Sequence, residues 1–409
     1  MRRHPAQRVS KRRAGSAWAW VALLGLGCGA ETAVTAGPSP PAAPAPALQV
    51  AAKTATVAEP VATTAPPRPA TPAPTPVVGE ASLPAPKPTT ISLASDAGDP
   101  VDRLLTQGDQ AFEAGDYAAA AKAYEAARAA APRRAGPAVG VARVRIARQN
   151  LAMDFASAKG NREVVAAVND LRRAAGLEPG FGAGQVELGR ALLLVGDAPT
   201  AIDALRRGVQ LLPTDAEAHS VLGIALLATG HGAEALGEIS RAAALDPGSA
   251  ARHGNLGTAL FMKGRTADAV REYRTQVRLA DADARAHSDL GTALLGVNDI
   301  EGAVVELGRA IQLDGTRAAF HSNLGYALQV QGKVGEAIVE YRKALSLDDR
   351  SSSAWINLAT ALARDPKTRT EARAALEKAR AIDPTDPRVS ANLEELDALE
   401  HAGAPPRTH

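Results

Sequence analysis

The segment Leu256-Gly257-Thr258-Ala259-Leu260 decides the fold of this chain, because close copies of it recur at a constant interval of 34 residues. Four other copies keep the pattern Leu-Gly-x-Ala-Leu, and they begin at Leu188, Leu222, Leu290 and Leu324. A further copy at Leu358 has alanine in place of the glycine. A fixed period in this range is typical of solenoids, in which each unit is one small supersecondary structure stacked on its neighbours.

Other residues that keep the same register predict two helices in each unit. Leucines mark the end of the second helix, at Leu211, Leu245, Leu279, Leu313 and Leu347. The residues between the two helices suit the left-handed backbone of a helix C-cap: Gly196, Gly230, Gly264, Asn298 and Gly332. Because no single unit can bury its apolar face alone, the units must stack.

With this register the chain resembles the tetratricopeptide repeat (TPR) family, whose unit of about 34 residues has glycine and alanine at these offsets. The resemblance implies an all-α, right-handed superhelical solenoid of helix-turn-helix repeats over residues 96–400. About eight units are predicted, followed by a closing helix at 387–400 and a tail at 401–409: 101–134, 135–181, 182–215, 216–249, 250–283, 284–317, 318–351 and 352–386. The unit at 135–181 is degenerate, with an insertion near Phe155–Asn161.

Residues 1–27 have the features of a signal peptide. A basic segment precedes an apolar run from Ala17 to Gly27, which has the length of a signal-peptide core and is too short for a membrane-spanning helix. Cys28, the only cysteine, follows directly, and the arrangement resembles a bacterial lipoprotein signal. That resemblance implies lipidation of Cys28 and a membrane-anchored lipoprotein of the bacterial cell envelope, facing the periplasm. Cleavage without lipidation and an uncleaved anchor are the alternatives.

Residues 28–95 are predicted to form a disordered linker that precedes the solenoid, since proline, alanine and threonine dominate and bulky apolar residues are too few for a core. The formal net charge of +2 is unevenly distributed, because residues 1–27 hold six Lys or Arg residues and no acid. The rest of the chain is therefore acidic on balance, which argues against a nucleic-acid partner. The single cysteine excludes an intramolecular disulfide framework and any Cys-x-x-Cys metal site.

Four histidines recur at the repeat interval, and Trp355 stands at the same offset in the next unit: His219, His253, His287 and His321. Equivalent residues of stacked repeats are about 8–10 Å apart, whereas zinc holds its ligands at about 2.0–2.1 Å. We therefore interpret this offset as a packing position, and the sequence predicts neither a metal nor a cofactor.

A second polar series lies on one face of the first helices. Asparagine or aspartate stands at one offset and a hydroxyl residue one turn further on: Asn255, Asp289, Asn323 and Asn357, then Thr258, Thr292, Tyr326 and Thr360. In TPR proteins the first helices line the concave surface, and some members carry an asparagine ladder there that grips peptide backbone. The resemblance therefore makes these eight residues candidates for a peptide-binding groove. The alternatives are solvated surface residues and bonds between repeats.

The sequence contains no phosphate-binding glycine loop, nucleophile elbow or HExxH zinc motif, and it leaves no stretch for a catalytic domain. The predicted function is a non-catalytic scaffold that binds a protein or peptide and takes no small-molecule substrate. Two more specific alternatives remain. One is an assembly factor for an envelope machine such as a type IV pilus or secretion system. The other is an accessory subunit of an envelope glycosyltransferase or peptidoglycan enzyme.

Overall fold

The computed structural model describes residues 90–95, 98–151 and 156–402, so the predicted signal segment, Cys28, most of the linker and the end of the tail lie outside the described residues. Within these ranges the chain has 17 α-helices and no strand. Their bounds are α1 Pro100–Glu113, α2 Tyr117–Ala130, α3 Ala135–Ala147, α4 Arg162–Leu177, α5 Gly182–Val195, α6 Ala198–Leu211, α7 Ala216–Ala228, α8 Gly232–Leu245, α9 Ala250–Met262, α10 Thr266–Leu279, α11 Ala284–Gly296, α12 Ile300–Leu313, α13 Ala318–Val330, α14 Val334–Leu347, α15 Ser352–Leu362, α16 Arg369–Ile382 and α17 Pro387–Ala402. None of the helices in this part of the chain is both long enough and apolar enough to cross a bilayer.

The helices pack as eight consecutive pairs, from α1 with α2 to α15 with α16, and α17 closes the array. Each second helix also packs against the first helix of the next pair, as α8 does against α9. Successive first helices contact one another directly, whereas no two successive second helices pack to the same extent among the described residues. The array therefore curves with the first helices on its inner side. The all-α solenoid predicted from the 34-residue period is confirmed.

The predicted helix ends are also confirmed. Helices α6, α8, α10, α12 and α14 end at the five leucines of the series. The residues between the paired helices adopt the left-handed backbone, with φ of 87° at Gly196, 81° at Gly230, 73° at Gly264, 62° at Asn298 and 88° at Gly332. Glycine reaches this conformation without the steric cost that a Cβ imposes, and asparagine tolerates it better than most residues.

The glycine of each Leu-Gly-x-Ala-Leu segment lies where the two helices of a pair cross. A Cβ added at Gly257 would stand 2.7 Å from Cε1 of Tyr273 on α10, and one at Gly223 would overlap Cγ1 of Ile239 on α8. Ala259, further along the same helix, is fully buried. Small residues at these positions let a large side chain of the second helix fill the space between the helices.

Residues 90–95 correct one predicted boundary. The linker was expected to continue to residue 95, but Ile91 and Leu93 are buried, with 4% and 1% of their surface exposed, and belong to the same apolar core as α1 and α3. The intervening Ser92 is exposed, which is the alternation of an extended strand. The composition of residues 28–95 as a whole hides this short pattern, because proline, alanine and threonine dominate the rest of the segment.

Candidate peptide-binding groove

Amide–hydroxyl pairs connect successive first helices along the inner side of the array. Nδ2 of Asn255 on α9 donates to Oγ of Ser220 on α7 at 3.2 Å. Nδ2 of Asn323 on α13 donates to Oγ1 of Thr292 on α11, also at 3.2 Å. We call the eight predicted candidates together the polar seam. Two of its three amides thus join neighbouring repeats, which was one of the alternatives that the sequence left open.

A pair of the same residue types, with the hydrogen bond in the opposite direction, joins the closing helix and includes a residue that sequence reasoning missed. Oγ1 of Thr360 on α15 donates to Oδ1 of Asn392 on α17 at 3.1 Å. Asn392 follows Asn357 by 35 residues rather than 34, because the 3₁₀ turn at Pro366–Thr368 adds one residue to that unit. A search at the strict interval lands on the neighbouring alanine.

The three threonines of the polar seam are also bonded within their own repeats. Oγ1 of Thr258 donates to the carbonyl of Gly254 and lies 2.9 Å from the hydroxyl of Tyr273 on α10. Oγ1 of Thr292 donates to the carbonyl of Ser288 at 2.8 Å. These bonds fix the rotamers of the hydroxyl groups, so the groups that the amides meet are held in place.

Asp289 replaces the amide in the middle of the polar seam. Its side chain is 27% exposed and lies 3.9 Å from Nε of Arg285. Burial raises the pKa of Asp289 to about 7, against the opposing effect of Arg285 and with a further contribution from Asp283. This carboxyl group therefore changes charge near neutral pH, on the side of the array where the neighbouring repeats carry neutral amides.

Several apolar side chains are exposed on the same helices. Tyr326 is 48% exposed on α13, and Met262 and Val330 are exposed at equivalent offsets near the ends of α9 and α13. Asn323 and Asn357 are half-buried, whereas Asn255 is 7% exposed and presents little surface to a ligand. An amide that donates one N–H to a hydroxyl retains a carbonyl oxygen and a second N–H for a ligand. Peptide binding by the polar seam stays a prediction.

The histidine series makes one repeated contact. In each of four repeats Nδ1 lies 2.6–2.7 Å from a glutamate of the second helix: Glu238, Glu272, Glu306 and Glu340. Each Nε2 lies 2.9–3.2 Å from the backbone carbonyl six residues earlier. Among the described residues no group of three or more His, Cys, Asp or Glu side chains is arranged to hold a metal ion.

A chain of buried charges crosses the first helices of the N-terminal half. Arg143 on α3 donates to Asp109 on α1 at 3.1 Å and to Glu187 on α5 at 2.9 Å. Glu187 pairs with Arg190, and Glu217 on α7 accepts from both Arg190 and Arg252. Burial opposes the charge of Glu187, but Arg143 and Arg190 hold its pKa below the ordinary value. Asp109, Arg143 and Arg190 share one offset, but Glu187, Glu217 and Arg252 stand at three others, so sequence reasoning missed the chain as a whole.

Comparison with known proteins agrees with this architecture. The sequence pattern described as "Tetratricopeptide repeat" matches residues 186–250, 220–284, 255–319 and 322–387. No curated protein matches the chain in sequence.

Solved structures of similar fold include a chain of the APC/C hetero-tetramer Cut9–Hcn1, with 17% identity and a TM-score of 0.55. That match covers 72% of this chain and 55% of the other, so the chain spans about half the length of that structure. PilF of Pseudomonas aeruginosa has 17% identity and a TM-score of 0.46, over 56% of this chain and 99% of PilF. YrrB, a TPR protein with an unusual peptide-binding site, has 20% identity and a TM-score of 0.38, over 47% and 99%. At 17% identity the likeness to the Cut9–Hcn1 structure concerns the fold alone. Residues 186–319 and 322–387, just under half of the chain, thus match the repeat pattern of the tetratricopeptide repeat family.

Proposed function

We propose that this chain is a non-catalytic scaffold that binds a protein or peptide along the inner side of its array. The proposal rests on the polar seam, which extends along the first helices of successive repeats and includes the exposed Tyr326. A repeated row of amides and hydroxyls can pair with the regularly spaced N–H and C=O groups of an extended chain.

The second part of the proposal concerns location. We infer export and a lipid anchor at Cys28 from the basic and apolar segments that precede the chain's only cysteine. A diacylglyceryl group with an additional acyl chain gives stable attachment, whereas one acyl chain gives marginal attachment. Cys28→Ser should release the protein from membranes or block its maturation. Unchanged fractionation and an unchanged N-terminal mass in the variant would contradict the anchor.

The groove is tested by site-specific photocrosslinking on the full chain in its own cells. A photoreactive residue replaces Tyr326 on the inner side, and a matched control replaces Val339, which is 62% exposed on the second helix α14. We expect a discrete adduct from the Tyr326 position, lost when Asn323→Ala and Asn357→Ala are added, and no such adduct from the Val339 position. Equal adducts from both positions would contradict groove binding, and an adduct at Tyr326 that is unchanged by the two alanines would contradict a role of the amides in it.

A further inference from the structure

Residues 90–95 lie on the inner side of the first two repeats as an extended segment whose backbone is bound by side chains of α1 and α3. The carbonyl of Ile91 accepts from Nη2 of Arg143 at 2.9 Å. The N–H of Leu93 donates to Oδ2 of Asp109 at 2.8 Å, and the N–H of Ser95 donates to Oδ2 of Asp102 at 2.8 Å. We call this segment the docked strand for its extended backbone, although it forms no β-ladder within the described residues.

The residues that bind the docked strand occupy groove positions. Asp109 and Arg143 stand at the same offset in their units as Thr258 in its unit, the offset that the sequence assigned to the groove. Gly136, on α3, allows the strand to approach closely, since a Cβ added there would stand 3.2 Å from the carbonyl oxygen of Leu93. The first two repeats therefore show, within one chain, how the inner side receives an extended peptide.

The binding side chains are held in place independently of the strand. Oδ1 of Asp109 accepts from the hydroxyl of Tyr124 at 2.7 Å and from Nη1 of Arg143 at 3.1 Å. Arg143 is itself bonded to Glu187 of the third repeat. A receptor whose polar groups are already ordered loses less entropy when a ligand binds.

The contacts that the site makes with the docked strand indicate which peptides it can bind. The polar contacts read the backbone of residues 91, 93 and 95, and the apolar contacts bury two side chains spaced by two residues. The site thus accepts an extended segment of the pattern apolar–x–apolar, and the exposed position between the two apolar residues tolerates many side chains. The docked strand is short and is joined to the start of α1 by only a few residues. This connection keeps its effective concentration near the millimolar range, so it stays bound even though its own affinity for the site is low.

We propose that the inner side of the first two repeats is a binding site for an extended apolar–x–apolar peptide, which residues 90–95 occupy in cis and a partner segment occupies once the docked strand leaves. This deepens the proposed function, on which it rests. The docked strand then keeps one end of the groove closed until a competing peptide arrives.

The test uses the full chain and a fluorescein-labelled peptide with the sequence of residues 88–98. Ile91→Asp with Leu93→Asp should release the docked strand, and anisotropy titration should then give a Kd at least tenfold lower than with the unaltered chain. The matched control carries Val305→Asp and Val339→Asp, two exposed valines on second helices, and should bind like the unaltered chain. Adding Gly136→Leu to the released variant should abolish binding. The proposal is overturned if the released variant binds no better than the control, or if it binds equally well a peptide in which both apolar residues are replaced by aspartate.

A second measurement needs no substitution. In millimolar peptide, the amides of Leu93 and Ser95 in the unaltered chain should exchange hydrogen at least threefold faster, while amides of α9 to α14 keep their rates. Unchanged rates at those two amides overturn the proposal even if the released variant fails to fold. Neither measurement involves Tyr326, so a negative result here leaves the photocrosslinking result to decide the proposed function separately.

Discussion

His253 and Glu272 connect the two helices of one repeat, with Nδ1 and Oε2 2.7 Å apart, and the other ring nitrogen faces the carbonyl of Pro247 at 3.0 Å. Both partners accept hydrogen bonds, so the ring satisfies both when it is protonated at both nitrogens. In the repeats at either end of this series, a residue that donates one hydrogen bond to this carbonyl takes the place of the histidine. Gln185 and Trp355 face the corresponding carbonyls, and Ala204 and Ala375 stand in place of the glutamate. The glutamate is thus present in the four repeats in which the ring has a second nitrogen to satisfy.

The stability that His253 contributes to the fold should depend on pH. Burial disfavours the charged ring, but the bonds to Glu272 and the Pro247 carbonyl outweigh it, so the pKa of His253 is raised. A group with a raised pKa stabilises the fold fully below its unfolded value of about 6.5, and this contribution is lost as pH rises through the folded value. His253→Gln with Glu272→Ala copies the Gln185 repeat and should remove this dependence. The melting-temperature advantage of the unaltered chain over the variant should shrink between pH 6 and pH 9; parallel curves would contradict the charged pair.

The second prediction concerns Asp289, whose pKa burial raises to about 7. Ionisation is then easier in the unfolded chain, so this residue destabilises the fold increasingly as pH rises from about 4 towards 7. Asp289→Asn restores the amide found in the neighbouring repeats. The variant should melt higher than the unaltered chain, by a margin that grows over that range and levels off above it. Asn323→Asp is the reverse control and should show a loss with the same pH dependence. A constant margin would mean that burial does not govern this carboxyl group.

The third prediction concerns the helix crossing at Ala259. This side chain is fully buried, so Ala259→Leu should overpack the crossing and cost about 1–3 kcal/mol of unfolding free energy. Ala250→Leu is the matched control, because Ala250 is half-buried at the start of the same helix. Urea unfolding followed by circular dichroism measures both. Equal losses would mean that Ala259 does not mark the close crossing.

The helices can be predicted from the sequence because their signals are local and periodic. The five leucines and the Gly/Asn caps lie at one interval, and every copy reinforces the others. Glu272 also recurs at that interval, but its pairing with His253 depends on the crossing of two helices and is visible only in three dimensions. The docked strand and Asn392 were missed for different reasons. The strand's pattern spans only a few residues of a biased segment, and Asn392 is displaced by one inserted residue.

The last prediction separates two roles of the asparagines. Asn255→Ala and Asn323→Ala each remove a bond between repeats, worth about 0.5–1.5 kcal/mol net, so each should lower stability. Asn357 stands at the same offset, and in its repeat the bond to the next first helix joins Thr360 to Asn392. Replacement of Asn357 by alanine therefore tests whether an amide at this offset contacts the partner.

With the partner captured at Tyr326, Asn323→Ala and Asn357→Ala together should weaken binding by roughly one to two orders of magnitude if both half-buried amides bond the peptide and the sites are additive, whereas the buried Asn255 should contribute little. Binding by calorimetry and melting by circular dichroism are measured on the same samples at a temperature well below the melting transition. At such a temperature all variants are folded, so a lower melting temperature cannot by itself account for lost affinity. Reduced melting with unchanged affinity would assign the amides to the joints between repeats alone. Binding would then depend on Tyr326 and the exposed apolar side chains near it.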